Sequence, residues 1–398
     1  SRSLEVFDML TMNGMANAWR AAGLALGMTL GGAAAVSMPG CELDTRVISG
    51  VPASGGDGGM GGDGGIGGDG GAGGDGGAGP LISGSQYVPG PLRPADMSIL
   101  PPTRAFLLWQ TGEIPSGAGL MSYELCRTSG PATEIDEASE CPNGALIASL
   151  FQVVDPLAPN TIYRWKVRAR YSDGRYSEWS AVRVFSTDDS LVAWLRLNGN
   201  AADSGTVGND GVLQNGAGFG GGIDGLALQC DGTDDYVDLG SGLALSGPLT
   251  ISAWIYGNGV PASSDSGILN QGTLNYALTY HTDGRVYFYI GDGGNSLSAP
   301  IDPSAWHHVL GSFDGTTNAG GMRLYLDGVP SGTKASTQAA TGAVGSLWIG
   351  RYDISYFNGG IDNVTLYNAA LSEAAVLNEY CAAQAAGGID PLPAVCLP

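Results

Sequence analysis

Basic residues are scarce in this chain. Its 398 residues include 17 lysines and arginines against 38 aspartates and glutamates, and the formal net charge is −21 at pH 7. Nucleic acids and anionic lipid surfaces attract proteins through clustered lysine and arginine side chains. The composition therefore speaks against nucleic acid as a partner and against direct binding to a charged membrane surface.

Histidine is also rare, with three residues in the chain. His307 and His308 are neighbours on a predicted strand, so their side chains point to opposite faces, and His281 is distant in sequence. Because this spacing places no two imidazoles side by side on one face, we expect no zinc site.

The most apolar run, from Ala21 to Val36, is shorter than the roughly 20 residues of a transmembrane helix. It is rich in glycine and alanine and follows Arg20, which is the pattern of a secretory signal. We interpret residues 1–40 as a signal segment, with Met12 or Met15 as the initiator.

Cys41 follows Gly40 directly, at a position that resembles the lipid-attachment cysteine of bacterial lipoproteins. The sequence therefore predicts an exported protein. We expect a lipid on Cys41 to hold it at the outer membrane or cell surface, and this lipid would be its one contact with a membrane. The alternative is that the protein is secreted.

Residues 55–78 are Gly-Gly-X triplets in which aspartate occupies every second X position. A segment with so little to bury is typical of a flexible tether, and we assign residues 41–88 that role. One alternative is a three-residue-per-turn helix related to polyproline II that associates with copies of itself. A calcium-binding β-roll is excluded, because the period here is six residues rather than nine.

The C-terminal half alternates short strand patterns with Gly, Asn and Asp turns from about Leu191 onward. It contains one helical stretch, Ala370–Tyr380, with Ser372 placed to cap it. Many short alternating strands with a single helix indicate an all-β antiparallel sandwich. The clearest strands are Thr250–Tyr256, Arg285–Ile290, Ser346–Gly350, Ile361–Tyr367, and the two that run from Trp306 to Val329.

The motifs of this half also follow a recognisable order: Leu191–Leu197, Asp203-Ser-Gly, Asp231-Gly-Thr-Asp-Asp-Tyr-Val237, Ile251–Trp254, Trp306–Val309, Leu324–Gly328 and Gly360–Asn368. This series resembles the laminin-G-like jelly rolls of the concanavalin-A-like lectin/glucanase superfamily. The resemblance implies a jelly-roll domain at residues 188–383, followed by a tail at residues 384–398. It does not fix the function, because lectins, adhesins and hydrolases share this sandwich.

Residues 89–187 have the strand pattern of a seven-stranded sandwich. Leu157–Tyr163 resembles the tyrosine corner of fibronectin type III domains, Trp109 resembles their strand-B tryptophan, and Ser177–Ser180 is similar to their Trp-Ser edge motif. The resemblance implies a fibronectin type III-like domain that acts as a spacer or protein contact.

Export makes disulfides possible among the remaining cysteines. Cys126 and Cys141 can close a short loop within the smaller domain, and Cys381 and Cys396 can hold the tail, although sequence alone does not fix the pairing. We interpret Cys230 as a small core residue.

Strand alternation separates aromatic side chains that are suited to sugar rings, which offer C–H groups and hydroxyls together. They line one sheet face if their strands are neighbours; the alternative is cross-strand pairing under a loop. The candidate ligand-binding residues are Trp254, Tyr256, Tyr276, Tyr280, Tyr287 and Tyr289.

Calcium is the one cofactor that we expect. The family resemblance implies a structural Ca²⁺ held by Asp203, Asp235 and Asp362, and oxygen ligands suit this ion. The alternative is that these aspartates form turns and caps.

The string Glu134-Ile-Asp-Glu-Ala-Ser-Glu140 resembles the acidic signature of laminarinase-type glycoside hydrolases. It lies between Cys126 and Cys141, outside the jelly roll, whose only glutamates are Glu373 and Glu379. We therefore expect no catalytic residues and no enzyme activity.

The sequence thus predicts an exported surface protein whose jelly roll binds a glycan or an extracellular protein. Self-association through the Gly-Gly-X segment is the alternative, and glycoside hydrolysis is a more distant one.

Overall fold

The computed structural model describes residues 80–398, apart from 131–134, 136–140, 142–144, 206–207, 262–264, 273–274, 292, 318–319, 343–344, 390 and 398. The predicted signal, Cys41 and the Gly-Gly-X repeats lie outside the described residues. So do Glu134, Asp136 and Glu140 of the acidic string.

Residues 81–187 form a sandwich of two sheets, here the N-terminal sandwich. Its described strands are β1 (Leu81–Ile82), β2 (Gly90–Arg93), β3 (Ser98–Leu100), β4 (Ala105–Gln110), β5 (Leu120–Ser129), β6 (Ala145–Ile147), β7 (Phe151–Val154), β8 (Ile162–Tyr171), β9 (Tyr176–Ser177) and β10 (Arg183–Thr187). Sheet A has the order β1-β9-β8-β10-β3, with β5 beside β8 and β6 beside β5, and sheet B has the order β2-β4-β7.

Large aromatic side chains fill the N-terminal sandwich. Trp109 of β4 and Trp165 of β8 are buried with ring centroids 6.2 Å apart. Tyr163 Oη accepts a hydrogen bond from Ala158 N at 2.7 Å, which ties the loop before β8 to the strand itself. Cys126 is bonded to Cys141.

The second sandwich begins at Leu191. Its described strands are β11 (Leu191–Leu195), β12 (Val212–Gln214), β13 (Gly218–Gly221), β14 (Leu226–Asp231), β15 (Tyr236–Asp238), β16 (Leu249–Gly257), β17 (Ser266–Gln271), β18 (Tyr276–Tyr280), β19 (Arg285–Ile290), β20 (Ser296–Pro300), β21 (His307–Phe313), β22 (Met322–Leu326), β23 (Val329–Lys334), β24 (Leu347–Ile349), β25 (Arg351–Tyr352), β26 (Ser355–Tyr356) and β27 (Asn358–Tyr367).

These strands form two large sheets and one hairpin. Sheet C has the order β13-β14-β27-β16-β21-β22-β23, with β11 also paired to β27, and sheet D has the order β12-β15-β24-β17-β18-β19-β20. The strand pairs within both sheets are antiparallel, and β25 pairs with β26 as a separate hairpin. The all-β fold class predicted from the sequence is confirmed.

The core of the second sandwich lies between sheets C and D. It includes Ile251 and Ile255 of β16 with Leu278 of β18 and Phe288 of β19, all at most 1% exposed. Cys230 is part of this core, and burial raises the pKa of its thiol to about 12.

The one α-helix among the described residues, α1 (Glu373–Ala386), packs on the outer face of sheet C, and two short 3-10 helices lie at Ser85–Tyr87 and Ala394–Cys396. Ser372 caps it, because its hydroxyl accepts a hydrogen bond from Ala375 N at 3.2 Å. The helix ends beyond the predicted domain boundary at 383. Cys381, on the helix, is bonded to Cys396, so the C-terminal tail is tied to α1.

The N-terminal sandwich packs against the same side of sheet C. One continuous apolar cluster joins its core to Leu310, Tyr325 and Tyr367 on the outer face of sheet C and to Val376 of α1. Asn378 of α1 completes the contact: its Oδ1 accepts from Phe106 N at 2.8 Å, and its Nδ2 donates to the Arg104 carbonyl at 2.7 Å. The described residues therefore form one compact unit rather than two loosely linked sandwiches.

Within the described part of the chain, no helix combines the length and apolar character that crossing a membrane requires.

Candidate functional site: the outer face of sheet D

Sheet D turns one face to the core and the other outward. The inward side chains of β19 are fully buried, while Tyr287 and Tyr289 point the opposite way. Thr279 of β18 lies opposite Tyr287, and Ala277 lies opposite Tyr289. On this outward side Tyr287 is half-buried, whereas Tyr289, Thr279 and Ala277 are at most 8% exposed.

His281 joins the aromatic rings of this face. Its ring stacks on Tyr287 with centroids 3.9 Å apart. Its Nδ1 lies 3.1 Å from Asp265 Oδ1, and its Nε2 lies 2.8 Å from Thr279 Oγ1 and 3.1 Å from Tyr289 Oη. If Nδ1–H donates to the carboxylate, Nε2 is the acceptor, and the two hydroxyls donate to it.

The charges of this group follow from its surroundings. Burial lowers the pKa of His281, against the opposite influence of Asp265 and Asp283. Tyr287 Oη donates to Asp283 Oδ2 at 2.8 Å, and this hydrogen bond is the main reason why the pKa of Tyr287 is raised. At neutral pH the imidazole and the phenols are therefore uncharged, and the carboxylates serve as hydrogen-bond acceptors.

A second aromatic group lies on the far strands of sheet D. Tyr236 of β15 has its ring centroid 6.4 Å from that of Trp348 on β24 and 6.1 Å from that of Tyr356 on β26. The guanidinium of Arg351 lies 4.2 Å from the Trp348 ring centroid and 4.8 Å from that of Tyr236. All four side chains are half-buried.

The hairpin β25–β26, which supplies Arg351 and Tyr356 to the second group, packs against β17. A Cβ at Gly267 would collide with the backbone of Arg351, so glycine is what allows the hairpin to approach this closely. Burial, and next the charge of Asp265, raise the pKa of Tyr352 on this hairpin. We call the outward side of sheet D the aromatic face; it carries His281, Tyr287 and Tyr289 at one end and Tyr236, Trp348 and Tyr356 at the other.

The structure does not bring the six predicted aromatic residues together, because β16 belongs to sheet C whereas β18 and β19 belong to sheet D. Trp254 is 1% exposed and stacks on Tyr380 of α1 at 5.3 Å. Tyr256 packs against Trp306, which directly precedes β21 of the same sheet.

Tyr276 and Tyr280 of β18 point into the core rather than onto the face. They share the inward side with Leu278, and both are at most 1% exposed. Tyr287 and Tyr289 are thus the two predicted residues that the structure places on the aromatic face.

Sequence reasoning missed the Tyr236 and Trp348 end of the face. The signal was present, since Trp348 alternates with Leu347 and Ile349 in the predicted strand Ser346–Gly350. The same alternation that selects Tyr287 selects Trp348.

The three aspartates predicted to bind calcium serve three separate turns. Asp203 accepts hydrogen bonds from the backbone N–H groups of Trp194, Gly205 and Asn209. Asp362 is fully buried, and its carboxylate accepts from Ile223 N, Asp224 N and Asn363 N. Burial raises the pKa of Asp362 to about 7.

These three residues do not fit a single bridging ion. Among the described residues, the carboxylates that do converge are Asp231, Asp234 and Asp235, whose ligand oxygens lie within 4.8 Å of one another. Only Asp235 belongs to both sets. Asp231 and Asp234 could have been found from the sequence, because they lie with Asp235 in the run Asp231-Gly-Thr-Asp-Asp-Tyr-Val237.

The remaining histidines belong to sheet C. His307 Nδ1 lies 2.8 Å from Asp327 Oδ2, and this bond raises the pKa of His307. His308 is fully buried beneath α1, with its Nε2 3.9 Å from Glu379 Oε1. Neither histidine has a place on the aromatic face.

Comparison with known families supports the fold of the second sandwich. Residues 231–377 match the family model Laminin_G_3, which is described as "Concanavalin A-like lectin/glucanases superfamily". This segment is a concanavalin-A-like domain. A search of curated proteins found no match.

Solved structures that match part of this chain include domain 4 of AbnA, a GH43 extracellular arabinanase from Geobacillus stearothermophilus, in complex with arabinotriose. It is 19% identical, with a TM-score of 0.40, and the match covers 47% of this chain and 97% of that domain. A Trypanosoma rangeli sialidase matches at 12% identity with a TM-score of 0.35, over 55% of this chain and 43% of the sialidase.

The binding domain of botulinum neurotoxin DC, in complex with rat synaptotagmin II, matches at 13% identity with a TM-score of 0.40. That match covers 49% of this chain and 52% of the toxin domain. Likenesses this distant assign no ligand to the present chain.

Proposed function

We propose that this protein is a non-catalytic, exported binding protein whose second sandwich holds glycans on the aromatic face. The observation that carries the proposal is the stack of Tyr287 on His281, flanked by Asp265 and Asp283, on the sheet that lies opposite the one covered by α1 and the N-terminal sandwich.

The chemistry of this face suits a sugar chain. Aromatic rings pack against the C–H faces of pyranose or furanose rings, and their polar edges bond to hydroxyl groups. At the His281 end, the carboxylates of Asp265 and Asp283 are acceptors for sugar hydroxyls. At the other end, Arg351 adds a donor beside Trp348. Two aromatic groups on different strands of sheet D favour an extended ligand over a single sugar.

A binding role fits this face better than catalysis. The chain of contacts from Asp265 through His281 to Thr279 has the order of a catalytic triad, but Thr279 is only 1% exposed and is not accessible to a substrate. The two glutamates of the second sandwich, Glu373 and Glu379, lie on α1 at the opposite sheet. The proposal is therefore a lectin-like or adhesive function.

The N-terminal sandwich is proposed to be fibronectin type III-like. The Tyr163 contact has the geometry of a tyrosine corner. The edge motif is also ordered: Ser177 Oγ accepts from Ala169 N, Ser180 Oγ accepts from Val167 N, and Arg168 lies over the Trp179 ring. Its extensive contact with sheet C favours a role as a fixed support for the second sandwich.

Export and a lipid anchor at Cys41 remain part of the proposal, supported by the leader sequence and by the two disulfides. A palmitate analogue should label the full chain, and Cys41→Ser should abolish the label. Labelling that persists in the variant would contradict the anchor at this residue.

Glycan binding is tested with residues 80–398 as one piece, because the two sandwiches share an apolar cluster. On a glycan array, the unchanged chain should bind at least one oligosaccharide, and Tyr287→Ala should weaken that binding about tenfold, since a stacked aromatic ring and its packing are lost. Tyr256→Ala is the matched control, because this half-buried tyrosine lies on sheet C.

Equal loss in both tyrosine variants, or no binding to any glycan, would contradict the proposal. A protein ligand on the same face is then the next candidate, and it would be tested with the same pair of variants.

Self-association through the Gly-Gly-X segment is a second candidate, supported by the regular aspartate spacing of residues 55–78. Sedimentation of the mature chain with and without this segment tests it. Association that persists after the deletion would contradict self-association through this segment.

Calcium binding also stays a prediction, and Asp231, Asp234 and Asp235 are where the described residues offer ligands to one ion. An ion bound at a hundredfold excess over Kd would stabilise the folded chain by roughly 2.7 kcal/mol. Asp234→Asn should remove the calcium-dependent rise in melting temperature, whereas Asp327→Asn should not. If a chelator leaves the melting temperature unchanged, the calcium prediction is wrong.

A further inference from the structure

A second candidate site lies at one end of the second sandwich, beside the Tyr356 end of the aromatic face. A cavity of about 310 Å³ opens there between loops that follow strands of sheets C and D. This volume is at the lower end of the roughly 300–1,000 Å³ that is typical of ligand pockets. We call it the rim pocket.

The rim pocket is built from both sheets. Thr233 follows β14, and Asn258, Val260 and Pro261 follow β16, while Asn358 begins β27. From the side of sheet D come Ser266 and Tyr280. The hairpin residues Ile354 and Tyr356 form the remaining wall. The pocket shares Tyr356 with the far end of the aromatic face, whereas His281, Tyr287 and Tyr289 are not among its lining residues.

One polar atom in the rim pocket lacks a partner. Tyr280 is 1% exposed, and its hydroxyl is buried without a hydrogen-bond partner among the described residues. Leaving a buried hydroxyl unpaired costs free energy, so natural proteins keep few of them. A ligand hydroxyl that enters the pocket and bonds to Tyr280 would satisfy it.

The mouth of the pocket is apolar. Ile354 is 81% exposed at the hairpin, and Val260 is 46% exposed on the loop after β16. On the same rim, the exposed Asn258 donates from Nδ2 to Asn358 Oδ1 at 3.0 Å. This bond orients the two amides and leaves the oxygen of Asn258 and the amino group of Asn358 for other partners.

Every described residue that lines the pocket is uncharged, and Asp231 and Asp234 flank the lining pair Gly232 and Thr233 in sequence. An anionic ligand is therefore disfavoured. We infer that the rim pocket binds one neutral sugar unit, with its apolar face against Ile354 and Val260 and its hydroxyl groups on Tyr280 and the two asparagines. This inference does not depend on glycan binding at the aromatic face.

The test uses residues 80–398 and a panel of neutral methyl glycosides, observed by saturation-transfer NMR and titrated where transfer is seen. Tyr280→Phe should weaken binding about three- to tenfold, as expected for one lost hydrogen bond, without lowering the melting temperature. Tyr325→Phe is the matched control, since it also removes a buried, unpartnered hydroxyl but lies on sheet C.

Ile354→Ala gives an independent readout, because an exposed hairpin residue is not needed for folding. It too should weaken binding, while Tyr287→Ala should leave binding of the monosaccharide unchanged. The inference is overturned if no glycoside in the panel binds at millimolar concentration. It is also overturned if binding responds to Tyr287→Ala but not to Tyr280→Phe and Ile354→Ala.

Discussion

Sheets C and D of the second sandwich both carry aromatic side chains on their outer faces, but those of sheet C are covered and some of those of sheet D stay accessible. On sheet C, Trp254 and Tyr367 are at most 1% exposed, because α1 and the N-terminal sandwich lie over them. On sheet D, Tyr287 and Trp348 stay half-buried and accessible. An outward aromatic residue on a strand is thus a packing residue or a ligand residue according to what covers its sheet.

The polar groups of the two faces differ in the same way. Asp362 on sheet C is fully buried, and its hydrogen bonds hold the turn that begins at Ile223. Asp283, beside sheet D, bonds to the hydroxyl of Tyr287 at the surface. The first carboxylate stabilises the fold, and the second is placed to meet a ligand.

The largest expected effect concerns the covered face. Trp254→Ala should lower the free energy of unfolding by about 3–5 kcal/mol, because it removes a fully buried ring that packs on Tyr380 and His308. Tyr287→Ala on the open face should cost about 1 kcal/mol or less. Denaturant unfolding measures both variants. Similar decreases in the free energy of unfolding for the two variants would contradict the distinction between the covered and the open face.

The next largest expected effect is that the stability of the folded chain depends on pH through Asp362. A folded pKa of about 7 against an ordinary value of 3.8 means that the folded state favours the protonated carboxyl. Its contribution to stability is therefore complete below about pH 4 and is lost as the pH rises to about 7, a change of roughly 2–4 kcal/mol.

Asp362→Asn cannot titrate, so the stability difference between the unchanged chain and this variant isolates the effect. The difference should fall from pH 4 to pH 7 and then level off. A difference that is flat, or that rises over this range, would show that the buried carboxyl is charged in the folded chain.

A smaller loss is expected where α1 meets the N-terminal sandwich. Asn378→Ala leaves the buried Phe106 N–H and Arg104 carbonyl without their partners, which should cost about 2 kcal/mol. Asn368→Ala, at an exposed position before the helix, should change stability by less than about 0.5 kcal/mol. Equal values would mean that α1 does not hold the two sandwiches together.

Much of the fold could be predicted from strand alternation alone. The predicted strand Arg285–Ile290 is observed with those bounds, and the predicted strand Thr250–Tyr256 lies within β16. The cap at Ser372 follows from its side chain and its position before an apolar helix face.

The assignment of β16 and β19 to different sheets could not be predicted in this way, because alternation separates the two faces of one strand without naming its neighbours. The covering of sheet C also depends on contacts between residues far apart in sequence, such as Asn378 with Phe106. For Tyr276 and Tyr280 a local clue existed, since both share a strand face with the apolar Leu278.

The central claim is that sheet D, rather than sheet C, presents the ligand-binding face. Hydrogen–deuterium exchange of residues 80–398, with and without an oligosaccharide that binds on the array, tests this claim most directly. The account predicts slower exchange in β18, β19 and the hairpin β25–β26 when the oligosaccharide is added, and no change in β16 and β21. Protection confined to the strands of sheet C, or to the N-terminal sandwich, would contradict it.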